Sequence, residues 1–261
     1  MFLQKDLFRD YEGEIDLSNS SATSIASYAF NGTNVTGTLT FDTVTDIGEG
    51  AFWGCTGITK LVFGENFKSA GSNAFRECTG ISEVEFNAIS ANDLEFPIFS
   101  NSGNERNFRL TIGTEVTKIP DYMFGSSAVS SISFVGDSSC SSIGRYAFSH
   151  TYRLELAEVD IPNSVESIGE SAFALTKAKT IILGKGIKTI GNGAFWAMGI
   201  IGEEQHGFIE EIYFAADITL VATEIENGEK EILVFVANSE ENALNYAKIF
   251  YRAGYTYSLE A

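Results

Sequence analysis

The heptapeptide Ser142–Phe148, SIGRYAF, recurs along the chain at nearly constant spacing. Full copies end at Phe30, Phe52, Phe75, Phe124, Phe148, Phe173 and Phe195, and a degenerate copy, DLEFPIF, ends at Phe99. The step from one of these Phe residues to the next is 22 to 25 residues. Self-similarity at such a period is the signature of a repeat architecture, in which each repeat forms one coil and contacts only its neighbours. The sequence therefore predicts a stacked solenoid.

A second motif follows each heptapeptide and reads apolar-x-x-apolar-x-apolar, as in Ile58, Leu61 and Phe63. Its closing alternation indicates a short strand with one buried face. One coil cannot bury its own apolar face, whereas stacked coils can, with neighbouring strands about 4.8 Å apart. We therefore predict a parallel sheet to which each coil contributes one short strand.

The repeat also predicts what fills the interior. The Phe that ends each heptapeptide should stack on its equivalents as a ladder, and burial of each ring is worth about 1.5–3 kcal/mol. The Gly of the Ile-Gly step is interpreted as a turn residue with positive φ. Cys55 and Cys78 occupy equivalent small-residue positions in adjacent coils. Because the coil spacing exceeds the Cβ–Cβ separation of a disulfide, about 3.5–4.5 Å, we predict buried thiols. Cys140 lies in a Ser-rich turn that suggests no role.

The predicted organisation is a single domain covering residues 1–261. Residues 1–20 form an N-terminal cap, residues 21–214 the repeats, and residues 215–261 a C-terminal cap. Within the second cap, EKEILVFVA at 229–237 predicts a strand, NSEENALNYAKIFYRAG at 238–254 a helix, and Tyr255 with Tyr257 a final strand. The period is irregular at 87–108 and at 196–208. The second irregularity is an insertion carrying Trp196 and His206, and it is either a binding loop or a neutral insertion.

Composition narrows the class of partner. A formal net charge of −18 disfavours nucleic acid and anionic membrane surfaces. Three Cys residues with no CxxC motif indicate neither a disulfide framework nor a zinc site. No stretch approaches the roughly 20 apolar residues of a membrane span, and the charged stretch that includes Lys5 and Asp6 does not fit a signal peptide. We expect no membrane insertion.

No motif for catalysis appears in the sequence. The two histidines, His150 and His206, lie outside any recognisable motif, and the G-x-x-x-x-G-K-[ST] and G-x-S-x-G patterns are absent. Carboxylate pairs such as Glu83 and Glu85 are expected by chance in a chain with 35 acidic residues. The sequence therefore predicts a protein that is not an enzyme, with no catalytic, cofactor-binding or metal-binding residues.

The outward positions of the strands remain as the candidate binding surface. Alternation places two columns of side chains on the sheet face. From these we predict a partner-binding set consisting of Lys60, Val62, Glu83, Glu85, Arg109, Thr111, Asp160, Ile182 and Tyr213, with Trp196 and His206 as a candidate loop. Lys60, Glu83 and Arg109 are favoured as a self-neutralising ladder of ion pairs. Exposed Val62, Ile182 and Tyr213 are the better candidates for anchoring an interface.

The Ile-Gly-x-x-Ala-Phe heptapeptide and the Cys-Thr-Gly-Ile segment at 55–58 resemble the BspA-like, or Treponema pallidum-type, leucine-rich repeat family, over residues 24–214. The resemblance implies a right-handed α/β leucine-rich repeat superhelix of about eight coils. It also implies a bacterial cell-surface or extracellular location and binding to host matrix or surface proteins in adhesion. A glycan-binding module, with Trp53, Trp196 and Tyr213 stacking on sugars, and an architectural spacer are the alternatives. We expect a monomer, with end-to-end dimers through open strand edges as the alternative.

Overall fold

The coils stack as a parallel-strand β-solenoid of about seven turns, which confirms the predicted repeat fold. The structure, a computed structural model, describes residues 2–3, 10–17, 20–103, 108–151, 159–176, 180–184, 186–191, 193–195, 211–214, 219–226, 229–236 and 256–258. Within those residues each repeat contains turns and strands but no helix. A typical coil carries two strands where the sequence predicted one, so a series of longer strands and a series of shorter strands run along the solenoid.

The longer strands carry the predicted alternating motif. They are β2 (Glu12–Glu14), β4 (Asn34–Phe41), β6 (Gly57–Phe63), β8 (Glu83–Phe86), β9 (Phe108–Ile112), β11 (Val129–Phe134), β13 (Val159–Ile161), β15 (Thr180–Leu183) and β17 (Glu211–Phe214). Strands β2 to β11 form one six-stranded sheet, and β13 begins a second. Inward side chains such as Leu61 and Phe63 are fully buried, because the preceding and following coils cover them.

Except for the first, the shorter strands coincide with the first two residues of the heptapeptide copies. They are β1 (Phe2–Leu3), β3 (Ser24–Ile25), β5 (Asp46–Ile47), β7 (Ser69–Ala70), β10 (Lys118–Ile119), β12 (Ser142–Ile143), β14 (Ser167–Ile168) and β16 (Thr189–Ile190). They form two four-stranded parallel sheets, β1-β3-β5-β7 and β10-β12-β14-β16. Two residues are too short to show a period in the sequence, so these strands were missed.

The glycine of the Ile-Gly step serves close packing, and its predicted positive φ is wrong. A Cβ added at Gly169 would lie 2.6 Å from the backbone nitrogen of Arg145 in the preceding coil. The same addition at Gly144 would lie 2.5 Å from the backbone nitrogen of Asp121. Glycine is therefore required because the backbone of the neighbouring coil occupies the space of a side chain.

Positive φ occurs instead two residues before and two residues after the Phe. Tyr146 and His150 show the pattern, with φ of 53° and 58°. This alternation directs every second N–H along the solenoid axis. The N–H groups of Tyr146, Phe148 and His150 donate to the carbonyls of Glu170, Ala172 and Ala174 in the next coil, at 2.9, 2.8 and 2.8 Å. The energetic cost of the positive φ angles is thus offset by the hydrogen bond that each of these three N–H groups makes to the next coil.

The predicted Phe ladder is confirmed. Successive rings of Phe30, Phe52, Phe75, Phe99, Phe124, Phe148, Phe173 and Phe195 stack with centroid separations of 5.1 to 5.9 Å and interplanar angles of at most 17°. At the N-terminal end Tyr11 contacts Phe30 edge-on, with centroids 6.5 Å apart. The degenerate repeat contributes Phe99 to the ladder, so the stack of rings is not interrupted in that coil.

The small residue three positions after the Phe also has a polar role. The hydroxyl of Thr33 donates to the Phe30 carbonyl at 2.8 Å, and the thiols of Cys55 and Cys78 donate to the Phe30 and Phe52 carbonyls at 3.0 Å each. A side-chain donor here satisfies a buried carbonyl group. All three cysteines are free and buried, which confirms the prediction for Cys55 and Cys78 and places Cys140 in the core. Burial raises the pKa of the Cys140 thiol to about 11.

The degenerate repeat interrupts the short-strand sheet between β7 and β10. There the Asp93 carboxylate accepts the N–H of Asp121 at 3.2 Å and pairs with Lys118 at 3.0 Å. In the next coil Pro120 takes the place of the heptapeptide Gly, and the Gly N–H is a ladder donor elsewhere, as from Gly144 to Ile119 at 2.8 Å. Proline cannot make that bond. The Asp93 side chain therefore provides a hydrogen bond to the backbone of the next coil where the short-strand ladder is missing.

The C-terminal strands continue the second long sheet. They are β18 (Thr219–Glu226), β19 (Glu229–Val236) and β20 (Thr256–Ser258), in the sheet order β13-β15-β17-β19-β18-β20. The structure confirms the strand predicted at 229–237 and a final strand containing Tyr257. The antiparallel strand β18 was not predicted. The helix predicted at 238–254 lies outside the described residues.

Replacing Gly169 with Ala should destabilise the protein by about 1–3 kcal/mol, because the new Cβ meets backbone that cannot move aside cheaply. Ala26 occupies the equivalent position in the first coil, so Ala26→Gly serves as the matched control and should cost only about 0.5–1 kcal/mol. Urea unfolding of both variants measures the difference. An unchanged midpoint for Gly169→Ala would contradict the close-packing explanation.

Phe99→Ala should cost about 3–5 kcal/mol, because it removes one ring from the buried ladder and leaves a cavity. Phe96 lies three residues earlier in the same coil and is 57% exposed, so Phe96→Ala should change stability by about 0.5 kcal/mol or less. Thermal unfolding of the two variants checks this contrast. Similar losses for both would show that the ladder is not the main source of stability in that coil.

Candidate functional site

The predicted columns of outward side chains lie in register across the first long sheet. Lys60 is paired with Glu83 and Glu83 with Arg109, while Val62 is paired with Glu85 and Glu85 with Thr111. Arg109 is exposed. The side chains of the earlier strands are half-buried, namely Lys60, Val62, Glu83 and Glu85. The alternation of the strand motif therefore places this part of the predicted set on one continuous face.

The basic and acidic residues of that face neutralise one another. The Lys60 ammonium lies 2.7 Å from a Glu83 carboxylate oxygen and 2.5 Å from one of Glu85, and the Arg109 guanidinium lies 3.5 Å from Glu83. The hydrogen bond with Lys60 lowers the pKa of Glu83, and the bonds with Glu83 and Glu85 raise the pKa of Lys60. The favoured interpretation of these residues as a ladder of ion pairs is confirmed. Their charges are satisfied within the protein.

The second part of the predicted set lies on the other long sheet. Asp160 is paired with Ile182, and Ile182 with Tyr213. Asp160 is exposed and Ile182 is half-buried. An exposed carboxylate beside a branched apolar side chain can therefore contact a partner here, whereas the charged groups of the ion-pair ladder are already paired with each other.

The two parts of the face do not form one uninterrupted sheet. Strands β11 and β13 are consecutive in the solenoid but are not hydrogen-bonded neighbours. A cleft of about 570 Å³ opens between them. Its described lining consists of Ile132, Ser133, Phe134, Gly136, Asp137, Ser138, Asp160, Ile161, Pro162, Asn163, Ser164 and Ile182. The sequence analysis missed this cleft, although Pro162 directly after a strand was an available signal.

The remaining candidate residues do not join this surface within the described structure. Trp196 and His206 lie outside the described residues. The Arg76 guanidinium covers the ring of Trp53 at 4.8 Å from its centroid, and the indole N–H donates to Glu77 at 3.1 Å. Trp53 therefore has one ring face and its only polar group already engaged. His150 is a turn residue whose Nδ1 lies 2.8 Å from the Ser149 hydroxyl, and partial desolvation of its ring lowers its pKa.

Among the described residues, no group of three or more His, Cys, Asp or Glu side chains is arranged to hold a metal ion. Burial raises the pKa of the Cys55 thiol and raises that of Cys78 well above its ordinary value, so both remain protonated at neutral pH.

Residues 23–155 and 95–216 match the BspA type leucine rich repeat region in six copies. The two matches together cover more than half of the chain. The protein belongs to this family. Proteins of BspA-type repeats are typically non-catalytic interaction modules and typically associated with surfaces. A search of curated proteins gave no match.

The solved structures to which this repeat protein is similar include three leucine-rich proteins. A leucine-rich repeat protein from Bacteroides ovatus is 21% identical, with a TM-score of 0.47 over 74% of this chain and 40% of that one. A leucine rich cell surface protein from Faecalibacterium prausnitzii is 17% identical, with a TM-score of 0.33 over 73% of this chain and 68% of that one. A leucine-rich repeat protein from Eubacterium ventriosum is 18% identical, with a TM-score of 0.31 over 77% of this chain and 59% of that one. The repeat protein thus spans 40% of the Bacteroides ovatus chain.

The described part of this repeat protein contains no helix of the length and apolar character that a membrane span needs.

Lys60→Met should lower the free energy of unfolding by about 1 kcal/mol or less at low salt, because it leaves Glu83 and Glu85 to repel each other at a partly exposed site. The loss should shrink in 1 M NaCl, where charges are screened. Because folding lowers the pKa of Glu83, the stabilisation is present above its unfolded value of about 4.3 and disappears as the pH falls through the folded value.

Urea unfolding at two salt concentrations and at several pH values checks this expectation. Lys68→Met is the matched control, since Lys68 donates to the Ser90 hydroxyl at 2.9 Å instead of to a carboxylate. An equal dependence on salt in both variants would show that the ladder contributes nothing specific.

Proposed function

We propose that this chain is a non-catalytic protein-binding module of a cell-surface or secreted bacterial protein, and that it mediates adhesion to host matrix or surface proteins. The observation that carries the proposal is the in-register sheet face, where Asp160, Ile182 and Tyr213 occupy adjacent strands. The fold requires only the inward side chains of these strands. The outward side chains of Asp160 and Ile182 are available for a partner.

The composition of the face favours a protein partner. The cationic groups Lys60 and Arg109 are engaged by carboxylates of the same sheet, so an anionic ligand finds no free cation there. Ile182 is half-buried beside the exposed Asp160, which combines an apolar contact with a polar edge. Interfaces concentrate their binding energy in a few such anchors surrounded by polar residues.

Glycan binding receives less support from the described residues. Trp53 was the described aromatic candidate for stacking on a sugar, and Arg76 already lies over its ring. Glycan binding and the spacer role are therefore treated as outcomes of the test.

The test is a binding screen of the purified chain against immobilised fibronectin, fibrinogen, collagen and mucin and against a glycan array, at low and high salt. A saturable protein ligand whose binding survives high salt is expected, because a desolvated interface is screened little. Replacing Arg109, Ile182 and Tyr213 together by Ser should raise the Kd at least about tenfold.

The matched control replaces Lys188, Ile89 and Tyr28 by Ser, residues of the same types that lie outside the long strands. It should leave the Kd within about twofold. Equal binding by both triple variants would remove the sheet face from consideration. A signal from glycans alone would replace the proposal with lectin activity, and silence across the panel would favour the spacer.

A further inference from the structure

The cleft between β11 and β13 has a cause in the sequence. In four preceding coils the residue after the long strand donates its N–H to the strand end of the coil before it. These bonds run from Gly64 to Phe41, Asn87 to Phe63, Gly113 to Phe86 and Val135 to Ile112, at 3.3, 2.9, 2.9 and 3.0 Å. The equivalent residue in the next coil is Pro162, which has no N–H to donate to the Phe134 carbonyl. The ladder stops there, and β11 keeps an open edge.

The open edge exposes side chains that are core elsewhere. Phe63 and Phe86, which occupy the equivalent position in earlier coils, are fully buried, whereas Phe134 is half-buried. Ile132 is likewise half-buried, and both side chains line the cleft. Ile182 lies across from them on the neighbouring sheet. These three side chains therefore give the cleft an apolar floor that a ligand can contact.

The rim of the cleft is acidic and unneutralised. Asp137 and Asp160 are both exposed, and neither forms an ion pair with a described residue. By contrast, Asp121 pairs with Arg145 at 2.8 Å and Glu166 with Lys188 at 2.6 Å across neighbouring coils. Two free carboxylates at one opening attract a cation and repel an anion.

The cleft also holds an unsatisfied hydroxyl. The Ser164 Oγ is buried and has no hydrogen-bond partner among the described residues. A buried polar atom without a partner is destabilising. The hydroxyl is thus a polar group beside the cleft that the packing of the coils leaves without a partner.

We propose that this cleft binds an extended segment of a partner protein that carries an apolar side chain next to a lysine or arginine, an inference that rests on the proposed protein-binding function. The apolar side chain packs against Ile132, Phe134 and Ile182. The basic group pairs with Asp137 and Asp160. The segment's backbone N–H donates to the Phe134 carbonyl, in the place of the donor that Pro162 lacks, as in strand addition to a sheet edge.

The experiment selects a random ten-residue peptide library on the full chain and measures the Kd of the enriched peptides by fluorescence anisotropy. The enriched sequences should share an apolar residue adjacent to Lys or Arg. Asp137→Asn combined with Asp160→Asn should raise the Kd at least about tenfold, because both rim charges are lost. Asp42→Asn, an exposed acid after β4, is the matched control and should leave the Kd within about twofold.

Pro162→Ala tests the cause of the cleft and leaves Ile132, Phe134, Ile182, Asp137 and Asp160 in place. It restores an N–H for the Phe134 carbonyl, so it should raise the Kd about tenfold or more. The new ladder hydrogen bond offsets the greater freedom of the unfolded chain, so the thermal midpoint should stay close to that of wild type. Enriched peptides without the apolar-basic pattern, or an equal Kd for wild type, Pro162→Ala and the double Asn variant, would overturn the inference. So would a library from which no peptide is enriched.

The outcomes separate this inference from the proposed adhesion. A matrix protein that binds wild type and the double Asn variant equally, with no peptide enriched, overturns the cleft and leaves the proposed function standing. Enriched peptides that depend on Asp137 and Asp160, together with silence of the matrix panel, support the cleft and reject adhesion to those matrix proteins.

Discussion

Backbone contact between equivalent positions of successive coils is the constraint on which the rest of this structure depends. The coils approach so closely that the heptapeptide Gly has no room for a Cβ, and every second N–H around the Phe points to the next coil. The same approach sets the 5.1 Å separation of the Phe30 and Phe52 rings. Residues with positive φ, such as Tyr146, are tolerated because the hydrogen bonds between coils depend on that backbone geometry.

The periodicity of the sequence predicted those features that recur in every coil. Once equivalent positions are known to lie above one another, the Phe ladder, the outward columns and the burial of Cys55 and Cys78 all follow. The role of the heptapeptide Gly was predicted wrongly, because a glycine in a turn motif fits both positive φ and close packing. The distance to the neighbouring backbone decides between them, and a single coil's sequence does not contain that distance.

Apart from the two-residue strands, what the sequence analysis missed lies where the repeat is interrupted or ends. All three prolines mark such places: Pro97 in the degenerate heptapeptide, Pro120 after it, and Pro162 beside the cleft. The rule that proline cannot donate to a ladder was available, but its use needs the hydrogen-bond partner of each position. The strand β18 was also overlooked. Asn-Gly at 227–228 separates it from β19, and this pair is a strong signal for a two-residue hairpin connection.

The two interruptions lie in different coils. Where the short-strand sheet stops between β7 and β10, the long strands β8, β9 and β11 remain paired, and where the long sheet stops between β11 and β13, the short strands β10, β12 and β14 remain paired. The rings of Phe99, Phe124, Phe148 and Phe173 stay stacked through both regions. Because the two interruptions are staggered, every coil remains hydrogen-bonded to its neighbour through at least one of the two series of strands. The solenoid can therefore contain a local opening and stay continuous. A solenoid pulled from its ends would then transmit tension past Pro162 through the opposite wall.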